Sequence, residues 1–258
     1  MLDTKEMKPV FQRLYDKAVE GRSGKFSLEK NITPKYYSLW GYNRGYYFDV
    51  ISDYLPNVIL DEDGREEDLP LGWMYLWPCE YQSYLPIVDV AKGKMLSIGL
   101  GIGLLPEMLK EKLDNKVITE LSIVEMNPDV VKLTWEYQKR PEMNLIMADG
   151  WDYIKETKTK YDTIFIDIDM PANIFLPKVC QRILNPGGIA RGWHQEIYED
   201  LRKDFRPLVY TTNKPCGRCG VIPHMNCYGG LCLHCAGDYE SYIETFKEKG
   251  FDYKPGSI

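Results

Sequence analysis

Between Lys94 and Arg191 the sequence alternates short apolar runs with amphipathic segments, and this alternation constrains the fold more than any other feature. The runs "KMLSIGL", "ELSIVEM", "NLIMAD" and "YDTIFIDID" each precede a segment that reads as a helix, and "GGIARGW" closes the series. Strands that alternate with helices of this length form βαβ units, in which the strands are parallel and helices cover both faces of the sheet. The sequence therefore predicts a doubly wound α/β fold with a mostly parallel sheet.

The regions on either side of this alternation predict smaller structures. Apolar residues from Val10 to Val19 recur at helical spacing and indicate an amphipathic helix that ends near Gly21. The aromatic, turn-rich stretch from Tyr36 to Leu76 indicates β-hairpins, with turn signals at residues 43–45 and 63–64. After the alternation, "WHQEIYEDLRKDF" and "DYESYIETFKEKG" read as helices and "PLVYTT" as a strand. We expect a helical and β-rich extension over residues 1–91, the sheet domain over 92–212 and a cysteine-rich region over 213–258.

Composition excludes some classes of function. The chain carries 32 Lys+Arg against 38 Asp+Glu, a net charge of −6, so it has no overall basic field and nucleic acid is not an expected partner. The first ten residues, "MLDTKEMKPV", contain no apolar signal region, and no apolar run reaches the ~20 residues that a membrane span needs. These features predict a cytoplasmic protein with no membrane partner. The number of subunits is left open, and a homo-oligomer is compatible with the sequence.

Glycines and acids follow the predicted strands at the points where these strands end. The first strand leads into Gly99, Gly101 and Gly103, and the next three end in Glu125, Asp149 and Asp167. In an open parallel sheet, ligands bind beyond the carboxyl ends of the strands, where glycines let a ligand approach backbone N–H groups. Glu125 follows these glycines at about the distance expected of an acid that holds ribose hydroxyls. The pattern predicts a nucleotide-like cofactor at this edge, although glycines also serve simple turns, and Glu125 could alternatively act at the start of the next helix.

The segment from Lys92 to Trp193 resembles the class I S-adenosylmethionine-dependent methyltransferases, which have a Rossmann-like fold. The similarity rests on "IGLGIG", "VEMN", "MADGWDYI", "YDTIFIDID" and "LNPGGI". It implies S-adenosylmethionine as the cofactor and assigns residues to its parts. The glycine loop would hold the methionyl part, Glu125 with its neighbour Met126 the ribose, Asp149 with Gly150 or Trp151 the adenine, and Asp167 the region of the reacting sulfonium.

Within this superfamily, "ADGWDYI" followed by "YDTIFIDIDMP" is similar to the spermidine synthases, which also carry a β-rich N-terminal segment. Here the sequence departs from that branch in two places. The glycine loop lacks the usual internal acid, and Met170 stands where a second aspartate would precede the proline. Aminopropyl transfer is therefore the alternative to methyl transfer.

Two acids at the end of the fourth strand are the candidate catalytic residues. Asp167 and Asp169 lie two residues apart, so they share a face if the strand extends that far, and one of them could deprotonate an amine. Asp169 could instead cap the next helix. Further substrate contacts are predicted in the segment before the first strand of the sheet and in the segments after its fourth and fifth strands. The segment before the first strand could alternatively be a packed amphipathic helix that does not contact substrate. The candidates are Glu80, Tyr81, Gln82, Asn173 and His194.

A cysteine cluster near the C-terminus predicts a zinc site. Five of the seven cysteines lie between Cys216 and Cys235, and an odd number in such a cluster favours metal ligands over disulfides. The pairs Cys216/Cys219 and Cys232/Cys235 have the spacing of a four-thiolate zinc ribbon with a structural role. Other potential ligands are Cys227, His224 and His234, and an iron–sulfur or redox role is the alternative.

Three hypotheses about function follow. The first is a methyltransferase that uses S-adenosylmethionine and acts on a small molecule or a protein side chain. The second is an aminopropyltransferase of the spermidine-synthase kind. The third is a non-catalytic protein that retains the cofactor pocket and uses the zinc ribbon to bind a partner.

Overall fold

The structure is a computed structural model of the 258-residue chain, and it describes residues 4–33, 55–62, 74–76, 78–168, 180–193, 226–227, 231–232 and 248. The N-terminal elements are α1 (Thr4–Lys17), β1 (Gly21–Ser23), β2 (Phe26–Thr33), β3 (Leu55–Glu62), β4 (Met74–Tyr75) and α2 (Pro78–Val90). The central elements are β5 (Gly93–Ile98), α3 (Leu104–Met108), α4 (Lys110–Asp114), β6 (Ile118–Glu125), α5 (Pro128–Gln138), β7 (Met143–Met147), α6 (Gly150–Glu156), β8 (Tyr161–Ile166), a 3-10 helix (Cys180–Ile183) and β9 (Leu184–Gly192). A short hairpin of β10 (Asn226–Cys227) and β11 (Leu231–Cys232) follows.

A parallel sheet forms the centre of the fold. Among the described residues it has five strands in the order β7-β6-β5-β8-β9. The first strand in sequence, β5, has β6 on one side and β8 on the other, so the direction of winding reverses there. A reversal of this kind opens a crevice beyond the carboxyl ends of the strands. The predicted Rossmann-like α/β fold is confirmed, and its crevice lies where the glycine-rich segment follows β5.

Both faces of this sheet are buried. Consecutive strand residues point to opposite faces, and in β5 both Met95 and Leu96 are fully buried but belong to different hydrophobic clusters. The cluster around Met95 extends to α1 and the N-terminal strands, whereas the cluster around Leu96 includes Trp151 and Ile154 of α6. The sheet is therefore covered on both faces, as predicted, and the N-terminal elements share a hydrophobic core with it.

The N-terminal strands form an antiparallel sheet in the order β1-β2-β3-β4, with α1 packed against β3. The helix α1 was predicted, and it ends at Lys17, somewhat before the expected Gly21. Strands β3 and β4 lie in the region predicted to form hairpins, while the two turns expected at residues 43–45 and 63–64 lie outside the described residues.

Two predictions about local structure were incomplete. The hairpin of β1 and β2 was not predicted, because the buried run of residues 26–28 is short and the polar residues 29–31 follow it directly. The segment after the glycine loop was predicted as one helix, but it divides into α3 and α4 at Leu109. The helix and the strand expected between residues 193 and 212 and the helix expected near the C-terminus lie outside the described residues, apart from positions 193 and 248.

A buried ion-pair cluster connects α1 to α3. The side chain of Glu107 in α3 is 2% exposed, and its two carboxylate oxygens contact Arg13 Nε at 2.5 Å and Lys17 Nζ at 2.6 Å. A buried carboxylate needs such partners because it has left water. The N-terminal helix is thereby fixed against the first helix after the glycine loop.

No described helix is both long and apolar enough to cross a lipid bilayer.

Candidate active site

The glycine loop connects β5 to α3, and its glycines are required by contacts within the chain. At Gly99 the φ angle is 101°, and a Cβ atom would lie 2.1 Å from the carbonyl oxygen of Asp167. At Gly101 the φ angle is 52°, and a Cβ atom would lie 2.2 Å from Met74 Sδ. Side chains at these positions would be strained in conformation and would overlap with neighbouring atoms. The absence of side chains therefore lets β8 and β4 approach the loop, a reason for the glycines that the local sequence does not indicate.

The third glycine of the loop meets a different neighbour. A Cβ atom at Gly103, where φ is 80°, would lie 2.4 Å from Gln138 Cγ at the end of α5. The predicted contact of the three glycines with the methionyl part of a cofactor stays a prediction.

Glu125, at the end of β6, is bound to this loop. Its side chain is buried, its Oε2 accepts a hydrogen bond from the Leu100 N–H at 3.1 Å, and its Oε1 accepts one from the Asn127 N–H at 2.8 Å. Burial raises the pKa of this carboxyl, and the backbone donors oppose that shift. Asn127 caps α5 through its own side chain, so the start of that helix does not depend on Glu125. Glu125 is thus fixed beside the loop, as a ribose-binding acid would have to be.

Asp149, at the end of the β7 unit, caps α6. Its Oδ1 accepts hydrogen bonds from the Trp151 N–H at 2.7 Å and from the Asp152 N–H at 3.4 Å. Gly150, the first residue of α6, allows close packing, because a Cβ atom there would lie 2.3 Å from a methyl carbon of Ile98. Trp151 is buried in the cluster under the sheet. The predicted roles of these residues at an adenine base stay predictions.

Large apolar side chains are exposed at the same edge. The exposed fractions are 62% for Met126, 50% for Met147 and 39% for Ile168, and each of these residues lies within two positions of the carboxyl end of a strand. Exposed apolar surface of this kind at a crevice is suited to cover a flat, apolar ring.

Asp167 follows β8 and is paired with a tyrosine from α2. Its Oδ2 accepts a hydrogen bond from the hydroxyl of Tyr84, whose ring is buried against Phe165 with the ring centroids 5.3 Å apart. Burial raises the pKa of Asp167 to about 6; the hydrogen bond from Tyr84 opposes this shift, and the negative charge of Glu125 adds to it. A carboxyl with a pKa near neutrality can accept a proton from a substrate and release it again. The geometry is compatible with the predicted role of Asp167 as a base.

Glu80 is a second carboxyl beside Asp167. It precedes Tyr84 by one helical turn on α2, so both side chains lie on the same face of that helix. Glu80 Oε2 accepts a hydrogen bond from Trp193 Nε1 at 3.2 Å. Burial raises the pKa of Glu80 to about 8, and the charge of Asp167 contributes to this shift. Helix α2 therefore contacts the ends of both β8 and β9 through two side chains four residues apart.

The acidic group consists of Glu80, Glu125 and Asp167. Within the part of the chain that the structure describes, none of the three forms an ion pair with a lysine or arginine. Their donors are backbone N–H groups, a phenol and an indole. Glu80, with a pKa of about 8, is protonated at neutral pH, so the carboxylates that would attract a cation are those of Glu125 and Asp167.

The structure does not bring every predicted residue to this group. Tyr81 is 6% exposed and its ring packs edge-on against Phe11 of α1, with the centroids 6.1 Å apart, so its ring belongs to the N-terminal core. Gln82 lies within α2, the packed helix that had been the alternative for this segment. Asp169, Asn173 and His194 lie outside the described residues.

Most of the predicted zinc site also lies outside the described residues. These positions include Cys216, Cys219, Cys235, His224 and His234. Cys232 lies on β11, which pairs with β10 so that Asn226 is opposite Cys232. Among the residues that the structure describes, no group of three or more His, Cys, Asp or Glu side chains could hold a metal ion. The zinc site stays a prediction.

Three residues of the site were not identified from the sequence. Tyr84 could have been found, because it follows Glu80 at the spacing of one helical turn. Trp193 and Met74 reach the site only through tertiary packing, and no local pattern marks them.

Comparison with known proteins gives only partial matches. No protein-family model matches the chain. A polyamine aminopropyltransferase from Sulfurisphaera tokodaii is 33% identical over 86 residues, which are 30% of this chain and 28% of the relative. A polyamine aminopropyltransferase from Escherichia coli is 28% identical over 126 residues, 43% of each protein. The chain thus spans less than half the length of the curated relatives it matches.

Solved structures resemble the chain weakly. An SAH-bound methyltransferase from Podospora anserina has 20% identity and a TM-score of 0.36, and the match covers 42% of this chain and 49% of that one. Human methyltransferase-like protein 13 in complex with SAH has 18% identity and a TM-score of 0.33, over 70% of this chain and 92% of that one. At TM-scores this low, these likenesses carry no argument about what the chain does.

Proposed function

We propose that this chain is an S-adenosylmethionine-dependent methyltransferase whose acceptor is an amine. One observation carries the proposal. Glu125 and Asp167 lie on opposite sides of the glycine loop at the winding reversal, where Glu125 is hydrogen-bonded to Leu100 and the carbonyl of Asp167 lies against Gly99. Ligands of open α/β sheets bind at such a reversal.

The residues present fit an adenosyl cofactor. The carboxylate of Glu125 is held in place by two backbone donors, which leaves lone pairs for ribose hydroxyls. Met126 and Met147 expose apolar surface at the same edge, where an adenine ring would cover it. When bound, S-adenosylmethionine supplies an activated methyl group. The loop at Gly99–Gly103 would hold its methionyl part, and Asp149 and Trp151 would lie beside the base.

The acidic group favours an amine as the acceptor. An ammonium ion would provide the counterion that Glu125 and Asp167 lack among the described residues, whereas Glu80, with a pKa of about 8, is protonated at neutral pH. The ammonium must lose a proton before its nitrogen can attack. Asp167 is suited to take this proton, because its pKa of about 6 lets it be ionised at neutral pH and still bind a proton. The hydroxyl of Tyr84 orients the carboxylate, and Glu80, held by Trp193, would lie toward the acceptor.

Aminopropyl transfer is the second candidate. It is favoured by the partial matches to curated polyamine aminopropyltransferases and by the same acidic group, since polyamines are cations. The departures of the glycine loop and of Met170 from that branch weigh against it.

We also propose that Cys216, Cys219, Cys232 and Cys235 bind one structural zinc ion, as their spacing suggests. Cysteines that bind zinc instead of pairing as disulfides suit a reducing compartment, so we place the protein in the cytoplasm. Elemental analysis of the purified protein is expected to give one zinc per chain, and a metal content near zero would contradict this assignment.

Calorimetry and product analysis test the function. The protein is titrated with S-adenosylhomocysteine and with methylthioadenosine, and is then incubated with S-adenosylmethionine or its decarboxylated form and a panel of diamines and amino acids. Methyl transfer yields S-adenosylhomocysteine, whereas aminopropyl transfer yields methylthioadenosine. The Asp167→Asn variant should lose turnover and keep its affinity for the nucleoside. Binding without turnover on any acceptor would favour a non-catalytic binding protein, and no binding would overturn the proposal.

A further inference from the structure

The side chain of Met74 lies on the glycine loop. Its Sδ occupies the space beside Gly101, 2.2 Å from where a Cβ atom would be, and it accepts a hydrogen bond from the Ile102 N–H at 3.3 Å. A thioether sulfur is a weak acceptor. The Ile102 N–H, in the loop that follows β5, is thus paired with a weak acceptor. This loop lies where the winding of the sheet reverses.

Met74 reaches the loop from the N-terminal sheet. It lies on β4 opposite Leu60 of β3. The chain is fixed just after it, because the Leu76 N–H donates to the Val58 carbonyl at 3.2 Å and to Asn57 Oδ1 at 3.0 Å. The backbone that carries Met74 is therefore anchored, while the side chain is only partly buried. Methionine has three rotatable side-chain bonds and adapts its shape at low cost.

We propose that the Met74 thioether is an internal placeholder for the methionyl part of the cofactor, and that cofactor binding displaces it from Gly101 and Ile102. This inference rests on the proposed function. The side chain of methionine and the methionyl part of S-adenosylmethionine share the same chain of two methylene groups and a sulfur atom. Met74 thus places on the loop the chemical group that the loop would receive from the ligand.

Displacement has two consequences. The Ile102 N–H becomes available for a stronger acceptor, such as a carboxylate of the ligand. Apparent affinity is reduced to the intrinsic affinity multiplied by the fraction of molecules in which Met74 has already moved away, since a ligand binds only the competent state. Met74 therefore influences cofactor affinity according to whether its side chain occupies the loop or has moved away from it.

Methionine-methyl NMR tests the inference without an activity assay. The protein is labelled with 13C at the methionine methyl groups, and the Met74 signal is identified by its loss in Met74→Leu. On saturation with S-adenosylhomocysteine we expect the Met74 methyl signal to shift as the side chain leaves the loop. The signal of Met143, which is buried at the start of β7 at the other end of the sheet, serves as the control and should not shift.

Calorimetry supplies the second measurement. Met74→Ala removes the placeholder, so S-adenosylhomocysteine should bind it more tightly than the wild type, by about three- to tenfold. Tight binding to the wild type with an unmoved Met74 signal, or unchanged or weaker binding to Met74→Ala, overturns the inference and leaves the proposed function intact. If neither protein binds the nucleoside, the inference and the proposed function both fail.

Discussion

The hydroxyl of Tyr84 donates a hydrogen bond to Oδ2 of Asp167, and this contact joins the middle of α2 to the end of β8. A donor to a carboxylate stabilises its ionised form, whereas the burial of Asp167 disfavours that form. Burial has the larger effect, so the pKa of Asp167 lies at about 6 rather than near 4. The contact therefore keeps a buried acid ionisable at neutral pH.

Removing this donor should raise the pKa of Asp167 further. In Tyr84→Phe the ring still packs on Phe165 but no longer donates, and we expect an upward shift of about one pH unit. Titration of 13C-labelled aspartate carboxyls by NMR measures it. Tyr153→Phe is the matched control, because the Tyr153 hydroxyl pairs with Tyr161 instead. An unchanged pKa of Asp167 would show that the hydrogen bond does not govern its ionisation.

Glu80 should make the folded state less stable as the pH rises. Its folded pKa of about 8 exceeds the ordinary value of 4.5, so between these values the folded protein holds a proton that the unfolded chain has released. Stability then falls with rising pH across this window. Glu80→Gln removes the titration and keeps a carbonyl acceptor for Trp193. It should unfold like the wild type near pH 4.5 and be more stable above pH 8, by as much as about 5 kcal/mol.

Urea unfolding at a series of pH values measures this difference. Glu29→Gln, which removes a carboxyl from the exposed face of β2, controls for the change in net charge. A difference between Glu80→Gln and the wild type that stays constant from pH 4.5 to pH 8 would contradict the raised pKa of Glu80.

The central fold could be predicted from the sequence because its signals are local. The inner strands of the sheet contain mostly apolar runs, such as residues 121–124 of β6, and a capping residue such as Asn127 marks the start of a helix. In β1 and β2 the local signal is weak, because the buried run of residues 26–28 is short and is followed by the polar residues 29–31. The strands form there because Phe26 and Leu28 find a shared core with α1, which no window of sequence contains.

The candidate site was predictable only in part, for the same reason. Glu125 and Asp167 stand at strand ends, so the parallel topology brings them to one edge. The contacts that set the ionisation of the acidic group come from elsewhere in the chain. Tyr84 and Glu80 lie on α2, and Trp193 follows the end of β9. The reason for the glycines also depends on packing, since β8 and β4 fill the space beside them.

Glu125 should contribute both to cofactor binding and to the loop. Glu125→Ala removes the acceptor for ribose hydroxyls and is expected to cost about 1–3 kcal/mol of binding free energy for S-adenosylhomocysteine, measured by calorimetry. The Leu100 N–H also loses its partner, so its hydrogen exchange should accelerate. Glu120→Ala, five residues earlier on β6, is the control and should leave both quantities unchanged. Equal nucleoside affinity in Glu125→Ala would contradict the ribose assignment.

A glycine can be needed for its backbone conformation or because no space is left for a side chain, and a comparison of Gly99 with Gly187 distinguishes the two reasons. Both have a positive φ angle, 101° at Gly99 and 76° at Gly187, but a Cβ atom at Gly187 would meet nothing within 4 Å. Gly187→Ala should therefore cost only the conformational strain, about 1 kcal/mol. Gly99→Ala adds an overlap with the Asp167 carbonyl oxygen, and it should cost about 3 kcal/mol, since backbone must move to relieve it. Urea unfolding of the two variants measures both costs. Because the displaced carbonyl belongs to Asp167, Gly99→Ala should also change the NMR signal of the Asp167 carboxyl, and Gly187→Ala should not. Equal unfolding free energies for the two variants would contradict the close contact between the residue after β8 and the loop.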